Sequence, residues 1–355
     1  MQHRIAVIAG DGIGTEVMPE GLRVLDATAE KFGIALEYAH FDWGCERFHR
    51  HGAMMPSDGL DTLADFDAIY LGAVGFPGVP DHESLWGLLI PIRRQFDQYV
   101  NLRPVRLFDG LPCPLANAQP GDIDFYVVRE NVEGEYSNVG GRVNAGTEHE
   151  MEFQQATFSR RGCDRVMRYA FELATRQQAS CVTSATKSNG IIHTMPFWDE
   201  RFAAVAADYP DLATDQYHID ILCAHLVNRP SQFDVIVASN LFGDILSDLG
   251  PGVTGTIAIA PSANLNPERA HPSMFEPVHG SAPDIAGRGI ANPIGMVWAG
   301  AMMLDHLGHA DAGTCVEKAI ESVLAEGGPR TRDLGGNATT VEAGDAIADA
   351  IGKVP

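Results

Sequence analysis

The sequence predicts an α/β protein of two domains, and three observations predict it. Short β-branched apolar runs alternate with stretches whose apolar residues recur every three or four positions, as buried strands followed by amphipathic helices do. Glycine or short polar turns separate the two kinds of segment at Gly10–Gly14, Gly72–Gly75 and Ser239–Asn240. At 355 residues the chain is long enough for two domains, but it has no Ser/Gly linker, so a second domain has to be an insertion into the first.

Composition narrows the function classes. A hydrophobic fraction of 45% and a charged fraction of 20% are those of an ordinary soluble globular protein. A formal charge of -22 excludes an extended nucleic-acid surface, which must neutralise phosphates with Lys and Arg. An anionic substrate must therefore meet a local cluster of positive side chains. The N-terminal apolar run is too short for a signal peptide. The stretch Ile290 to Leu304 is interrupted by Asn292, Pro293 and Gly295, so it reads as a buried helix and no membrane span is expected. Cys45, Cys113, Cys163, Cys181, Cys223 and Cys315 lack C-x-x-C spacing, which predicts free thiols in a reducing cytoplasm.

Arg4 to Ala9 reads as the first strand, and Gly10-Asp-Gly-Ile-Gly14 turns it into a helix from about Thr15, with Met18, Leu22, Leu25, Ala29 and Phe32 on one face. The turn is either a dinucleotide cradle or a tight βα turn that needs glycine dihedrals, and its G-x-G-x-G spacing departs from G-x-G-x-x-G. Asp67 to Leu71 predicts another strand, ending in Gly72-Ala-Val-Gly75. Pro91 predicts a helix start, which puts Arg93 and Arg94 in or near the first turn. Cations there oppose the helix dipole, which suggests an anionic ligand, a surface salt bridge being the alternative. Phe125 to Arg129 predicts a strand leading into an acidic loop that ends at Tyr136. From Gly140 to Ser159 the chain is polar, with Met151, Phe153 and Phe158 among polar residues, as in an exposed hairpin that needs something packed on it; a second subunit is one candidate.

Asp164 to Gln177 predicts a helix and Ser180 to Thr183 a short strand, with Lys187 just beyond it. Tyr217 to Val227 fits strand and helix periods imperfectly and offers Asp220 near apolar residues. Val235 to Val237 reads as a buried strand, and the following helix is expected to bury Leu241, Phe242, Ile245, Leu246 and Leu249. That arrangement leaves Asp244 and Asp248 stacked at i, i+4. Paired carboxylates beyond a strand's C-terminal end suit Mg²⁺ or Mn²⁺; the plain alternative is a solvated helix face. Phe275 to Pro293 reads as turn-rich, with backbone N–H groups available to phosphate or adenine. Helices at about Thr314 to Ala325 and Thr340 to Ile351 close the chain.

Seven ordered motifs now carry a resemblance. Gly10-Asp-Gly-Ile-Gly14, Asn101-Leu-Arg-Pro104, Val128-Arg-Glu130, Glu133-Gly-Glu-Tyr136, Thr186-Lys-Ser-Asn189, Asn240-Leu-Phe-Gly-Asp-Ile-Leu-Ser-Asp248 and His279-Gly-Ser-Ala-Pro-Asp284 make the chain similar to the β-decarboxylating dehydrogenases, which include isopropylmalate, isocitrate and tartrate/D-malate enzymes. The resemblance implies an isopropylmalate/isocitrate dehydrogenase-like two-domain α/β fold with a large mixed sheet, not the usual Rossmann one. It implies a cofactor-side domain of residues 1–100 plus 255–355, a second domain of 101–254, and a dimer-forming arm near 138–159. It makes Arg93, Arg103 and Arg129 ligands of a small dicarboxylate, and Asp220, Asp244 and Asp248 ligands of Mg²⁺ or Mn²⁺. Lys187 becomes the base for the substrate hydroxyl and Tyr136 the acid that protonates the enol carbon. Asp220 and Lys187 are then supplied by the partner subunit of a homodimer with shared active sites. NAD contacts are implied for Gly72, Ala73, Val74 and Gly75, for His279, Gly280, Ser281, Ala282, Pro283, Asp284 and Ile285, and for Asn292. A carboxylate at Asp284 would repel a 2′-phosphate, which favours NAD over NADP.

Substrate choice rests on the residues before Arg93. Isopropylmalate enzymes carry a glutamate and two leucines where this chain has Trp86, Leu89 and Ile90, and isocitrate enzymes a serine and an asparagine where it has Gly87 and Leu89. Ser84-Leu-Trp-Gly and Asp97-Gln-Tyr-Val-Asn101 resemble the tartrate/D-malate branch, with Trp86 filling the space of a larger γ-substituent or simply packing. The alternatives are a 3-isopropylmalate dehydrogenase and, from another class, a non-catalytic dicarboxylate-binding protein.

Overall fold

A computed structural model describes residues 2–355. Its strands are β1 (Gln2–Gly10), β2 (Ala35–His40), β3 (Ala68–Ala73), β4 (Val100–Arg106), β5 (Asp124–Glu130), β6 (Gly140–Val143), β7 (Met151–Gln154), β8 (Cys181–Thr186), β9 (Ala213–His218), β10 (Val235–Ala238), β11 (Pro261–Leu265) and β12 (Ser273–Pro277). The chain divides into two units, the first formed by residues through 98, 103–123 and 250–355, the second by 99–102 and 124–249. Residues 103–123 fall in the first unit, where the sequence reading ran the second domain from 101 to 254.

In the first unit β1 lies between β2 and β3, all parallel; β12 runs parallel to β3, and β11 antiparallel to β12. The sheet is therefore mixed, as expected. Alternation along β1 and β3 sends Ala6, Ile8, Ile69 and Leu71 into one core with Trp43, Leu88, Ile92 and Phe96. On the other face Tyr70 donates its hydroxyl to the Met296 carbonyl at 2.6 Å. That contact seats the helix Ile294–His306, the most apolar in the chain, whose residues from Ile294 to Ala301 are all buried. The helix Gly14–Phe32 buries Val17, Met18, Val24 and Leu25 and stops at Gly33, whose φ of 66° is left-handed.

The turn between β1 and that helix decides between its two readings. Gly10 and Gly12 have φ of +71° and +54°, and a Cβ on them would lie 1.9 Å from the Ala73 oxygen and 2.1 Å from the Ser281 oxygen. The loop is packed shut against backbone, so it is the tight turn. Asp11 fastens it: one carboxylate oxygen accepts the Cys45 N–H at 2.7 Å and the other the Gly75 N–H at 2.9 Å.

In the second unit β5, β10, β8 and β9 lie side by side, all parallel. The ambiguous Tyr217 stretch resolves into the end of β9 and a helix, Ile219–Asn228, with Asp220 in its first turn. β6 and β7 form an antiparallel hairpin whose residues are all exposed. The helix Asn240–Thr254 follows β10, but its buried face differs from expectation. Phe242 and Leu246 are buried, whereas Ile245 is 45% exposed and Leu241 and Leu249 are half-buried. The small residues Gly243 and Ser247 take the inner positions instead, because close backbone approach selects small side chains over large ones. No helix among the described residues is long and apolar enough to cross a membrane.

Candidate active site

β5 delivers Arg129 to the start of the helix Asn240–Thr254. Its guanidinium is buried, with Nε and Nη2 donating to the Asn240 Oδ1 at 3.1 and 2.7 Å, and its Nη1 pairs with the Asp244 Oδ1. Only glycine at 243 permits this approach, since a Cβ there would lie 2.6 Å from the Arg129 Cβ and Cγ. Tyr136 donates its hydroxyl to the other Asp244 oxygen at 2.7 Å, and its ring lies 5.4 Å from the Arg129 guanidinium carbon. Three residues expected to bind substrate, protonate it and hold metal thus form one hydrogen-bonded group. Asp248 lies one turn beyond Asp244 and is exposed. Next to Arg129, Glu130 is fully buried, and desolvation pushes its carboxyl up to about 7 although it accepts the Val132 and Glu133 amides.

Lys187, just after β8, donates to the Asp220 Oδ1 at 2.7 Å. That hydrogen bond holds the Asp220 carboxyl below its ordinary range. The pair does not converge with Asp244: among the described residues no three histidines, cysteines or carboxylates form a group that could hold a metal ion. The donor type still fits a hard divalent cation, because Asp244, Asp248 and Asp220 offer oxygen only.

In the first unit Arg93 corrects the sequence reading. It stands near the end of a continuous helical run from Asp81 to Gln95, not in a first turn. Cations there agree with the helix dipole, so their position implies no anion. A π turn, Leu85–Leu89, precedes Pro91, and the Ile90 N–H reaches back to the Leu85 carbonyl. Arg93 is nonetheless buried, donates through Nη2 to the Glu276 Oε1 at 2.9 Å, and has a buried Nε without a hydrogen-bond partner. Glu276, on β12, also accepts from the Asn264 Nδ2 at 2.7 Å. The sequence reading took Phe275 and Glu276 into the turn-rich segment, although both are strand residues. A lone acid among buried apolar neighbours was the signal that an internal cation would pair with it. Arg103, on β4, is buried. Trp86 is exposed on the π turn with the Arg94 guanidinium 4.7 Å from its ring; Leu89 is buried and Ile90 half-buried.

The cofactor candidates also lie in the first unit. Gly72 and Ala73 end β3, and the Ala73 carbonyl is taken by the Asp11 N–H, which leaves Val74 and Gly75 as the accessible part of that loop. His279 is buried and burial holds its imidazole below its ordinary value; with Nδ1 against the Gly280 carbonyl at 3.0 Å, the Nε2 has no partner. An orphaned acceptor of this kind fits an amino-bearing base such as adenine. Beyond it Ser281 is buried, Ala282 adopts φ of 40°, and Pro283 and Asp284 are exposed with Ile285 half-buried. Asn292 is already committed, accepting the Ile294 N–H at 3.0 Å and donating to Asp333 at 3.0 Å.

Fold and side chains together define a class, an α/β oxidoreductase of the kind described as isocitrate/isopropylmalate dehydrogenase, whose family model matches residues 4–349. The chain belongs to that family. It is 63% identical to the D-malate dehydrogenase (decarboxylating) of Escherichia coli strain K12, over 98% of each chain. It is 58% identical to the tartrate dehydrogenase/decarboxylase of Pseudomonas putida, over 99% of this chain and 98% of that one. The crystal structure of isocitrate dehydrogenase from Methylococcus capsulatus matches it with a TM-score of 0.89 at 32% identity, over 99% of each chain.

Proposed function

We propose that the protein oxidises and oxidatively decarboxylates a four-carbon 2-hydroxy dicarboxylate, tartrate or D-malate, using NAD and Mg²⁺ or Mn²⁺. The observation that carries this reading is the joining of Arg129, Tyr136 and Asp244 in one group, on a chain 63% identical to a D-malate dehydrogenase. Arg93, Arg103 and Arg129 bind the carboxylates, because a guanidinium can offer parallel N–H donors to two oxygens where a lysine cannot. Neutral Lys187 would take the hydroxyl proton as the carbinol carbon gives up its hydride, for which bound NAD would be the acceptor. Loss of CO₂ then leaves an enol, and Tyr136 delivers a proton to its carbon. Asp244 and Asp248, with Asp220, would hold the divalent cation, which would supply Lewis acidity at the hydroxyl and carboxylate. His279 would meet the adenine through its unpartnered Nε2, and Asp284 would disfavour a 2′-phosphate, so NAD is the expected cofactor over NADP. Trp86 fills the space a γ-substituent would need.

Active sites are shared in a homodimer, with Lys187 and Asp220 coming from the partner. Apolar side chains turned outward support this: Ile245 beside the carboxylates, Ile192 (68% exposed) beyond Lys187, and Met151 (62%) and Phe153 (51%) on the hairpin. NADH formation from D-malate, (+)-tartrate, meso-tartrate and 3-isopropylmalate, with and without Mn²⁺, tests the assignment. Turnover of the four-carbon acids that needs Mn²⁺ is expected. Turnover of isopropylmalate alone would replace the substrate, and binding without any turnover would make the protein a dicarboxylate binder.

A further inference from the structure

We propose that Glu135 is a positioning residue that fixes Tyr136 against the carboxylate-bearing helix; this rests on the reading of Tyr136 as the proton donor. The helix Asn240–Thr254 begins with amides that have no intrahelical partner and with the positive end of its dipole. A cap is commonly provided by the residue just before the helix. Here Ser239 turns its hydroxyl away, donating to the Glu135 Oε1 at 2.8 Å, and the Glu135 Oε2 accepts the Leu241 N–H at 3.0 Å. A carboxylate from a distant loop therefore caps the helix.

The neighbours of Glu135 tighten the same joint. The Asn240 Nδ2 donates to the Glu133 carbonyl at 2.9 Å, and Gly134, at φ +83°, passes so close that a Cβ there would lie 3.2 Å from the Asn240 Cβ. Tyr136 comes next and donates to Asp244, one turn into the helix, at 2.7 Å. Glu135, the first helical turn, Asp244 and Tyr136 thus close a ring through two side-chain bonds and two short stretches of backbone. Opening it at Glu135 removes the charged joint next to the tyrosine and leaves the Asp244 bond, the Asn240–Glu133 bond and the Arg129 contact to orient it. Glu135 touches no reacting atom in this scheme, and its effect passes through Tyr136.

A double-mutant cycle in the full-length protein tests this, with D-malate, NAD and Mn²⁺ as the assay. Tyr136→Phe and Glu135→Ala are each expected to lower kcat at least about tenfold, with the KM for NAD changed less than about twofold, and the double variant to be no slower than Tyr136→Phe alone. Glu135→Gln should restore most of the rate, because its amide oxygen still accepts the Leu241 N–H. If Glu135→Ala does not fold, Glu135→Asp carries the comparison, since it keeps the charge and loses the reach. Losses that multiply, or a normal kcat without the Glu135 side chain, overturn the inference. A normal rate in Tyr136→Phe removes instead the role of the tyrosine on which it rests.

Discussion

The turns after β1 and after β10 share an outline: a buried parallel strand, a short break, then an amphipathic helix. The first carries the glycines that suggest phosphate binding, and its backbone is filled from outside by Ala73 and Ser281. The second carries only one glycine in its first turn, and the space it opens admits the Arg129 side chain. Glycine spacing alone does not tell a cradle from a packed turn. What distinguishes them is the group that occupies the space where a Cβ would be.

The largest expected effect tests the chemistry of the second unit. Lys187→Ala should cut hydride transfer by about 10²–10⁴-fold while a dicarboxylate still binds, measured by stopped-flow NADH formation beside calorimetric titration; near-normal transfer would leave Lys187 a simple partner of Asp220. Next, Gly12→Ala should cost roughly 4 kcal/mol of stability, since it combines a left-handed backbone with a clash against carbonyl oxygen. Gly243→Ala should show the opposite balance. Its Cβ would meet the Arg129 Cβ and Cγ at 2.6 Å, but its own backbone is not left-handed, so kcat/KM is expected to fall about 100-fold through a displaced Arg129, with the smaller loss of thermal midpoint. Equal stability losses in the two glycine variants would erase the contrast between the turns. Asp11→Asn replaces an acceptor of two amides by one acceptor and one donor, for which about 2 kcal/mol in a denaturant titration is expected; an unchanged midpoint would mean that Asp11 fastens nothing.

The smallest effect is a pH dependence. Burial raises the Glu130 carboxyl to about 7 in the folded chain, above its unfolded value. The folded state therefore binds the proton more tightly, and this group's contribution to stability grows as pH falls through about 7. Between pH 8 and pH 6 it amounts to about 1.4 kcal/mol. Stability of the natural chain relative to Glu130→Gln should rise by that amount over the same interval, and a pH-independent difference would remove the buried acid from the account.

Most of the fold was legible because strand and helix periods are local properties. Val235–Val237, Asp164–Gln177 and Thr340–Ile351 all sit where periodicity puts them, within a few residues. Ile245 defeats the same reasoning, because the packed face of its helix is chosen by Gly243 and Arg129 rather than by the largest apolar side chains. The arginines and carboxylates were recognisable by motif, whereas the pairing of Arg93 with Glu276 joins residues 183 positions apart and leaves no periodic trace. Pro91 was misleading for a further reason: a π turn ahead of it lets the helix run through a residue that normally begins one.

That π turn gives the segment before Arg93 one residue more than an ordinary helix would hold. Deleting a single residue from 85–89 would restore regular winding and leave both flanks where they are, Ser84 on one side and Arg93 on its Glu276 seat on the other, because the π turn takes up its extra residue locally. The π turn is thus a place where the chain can shed a residue, and so change which side chains stand on that turn, without moving the arginine paired with Glu276.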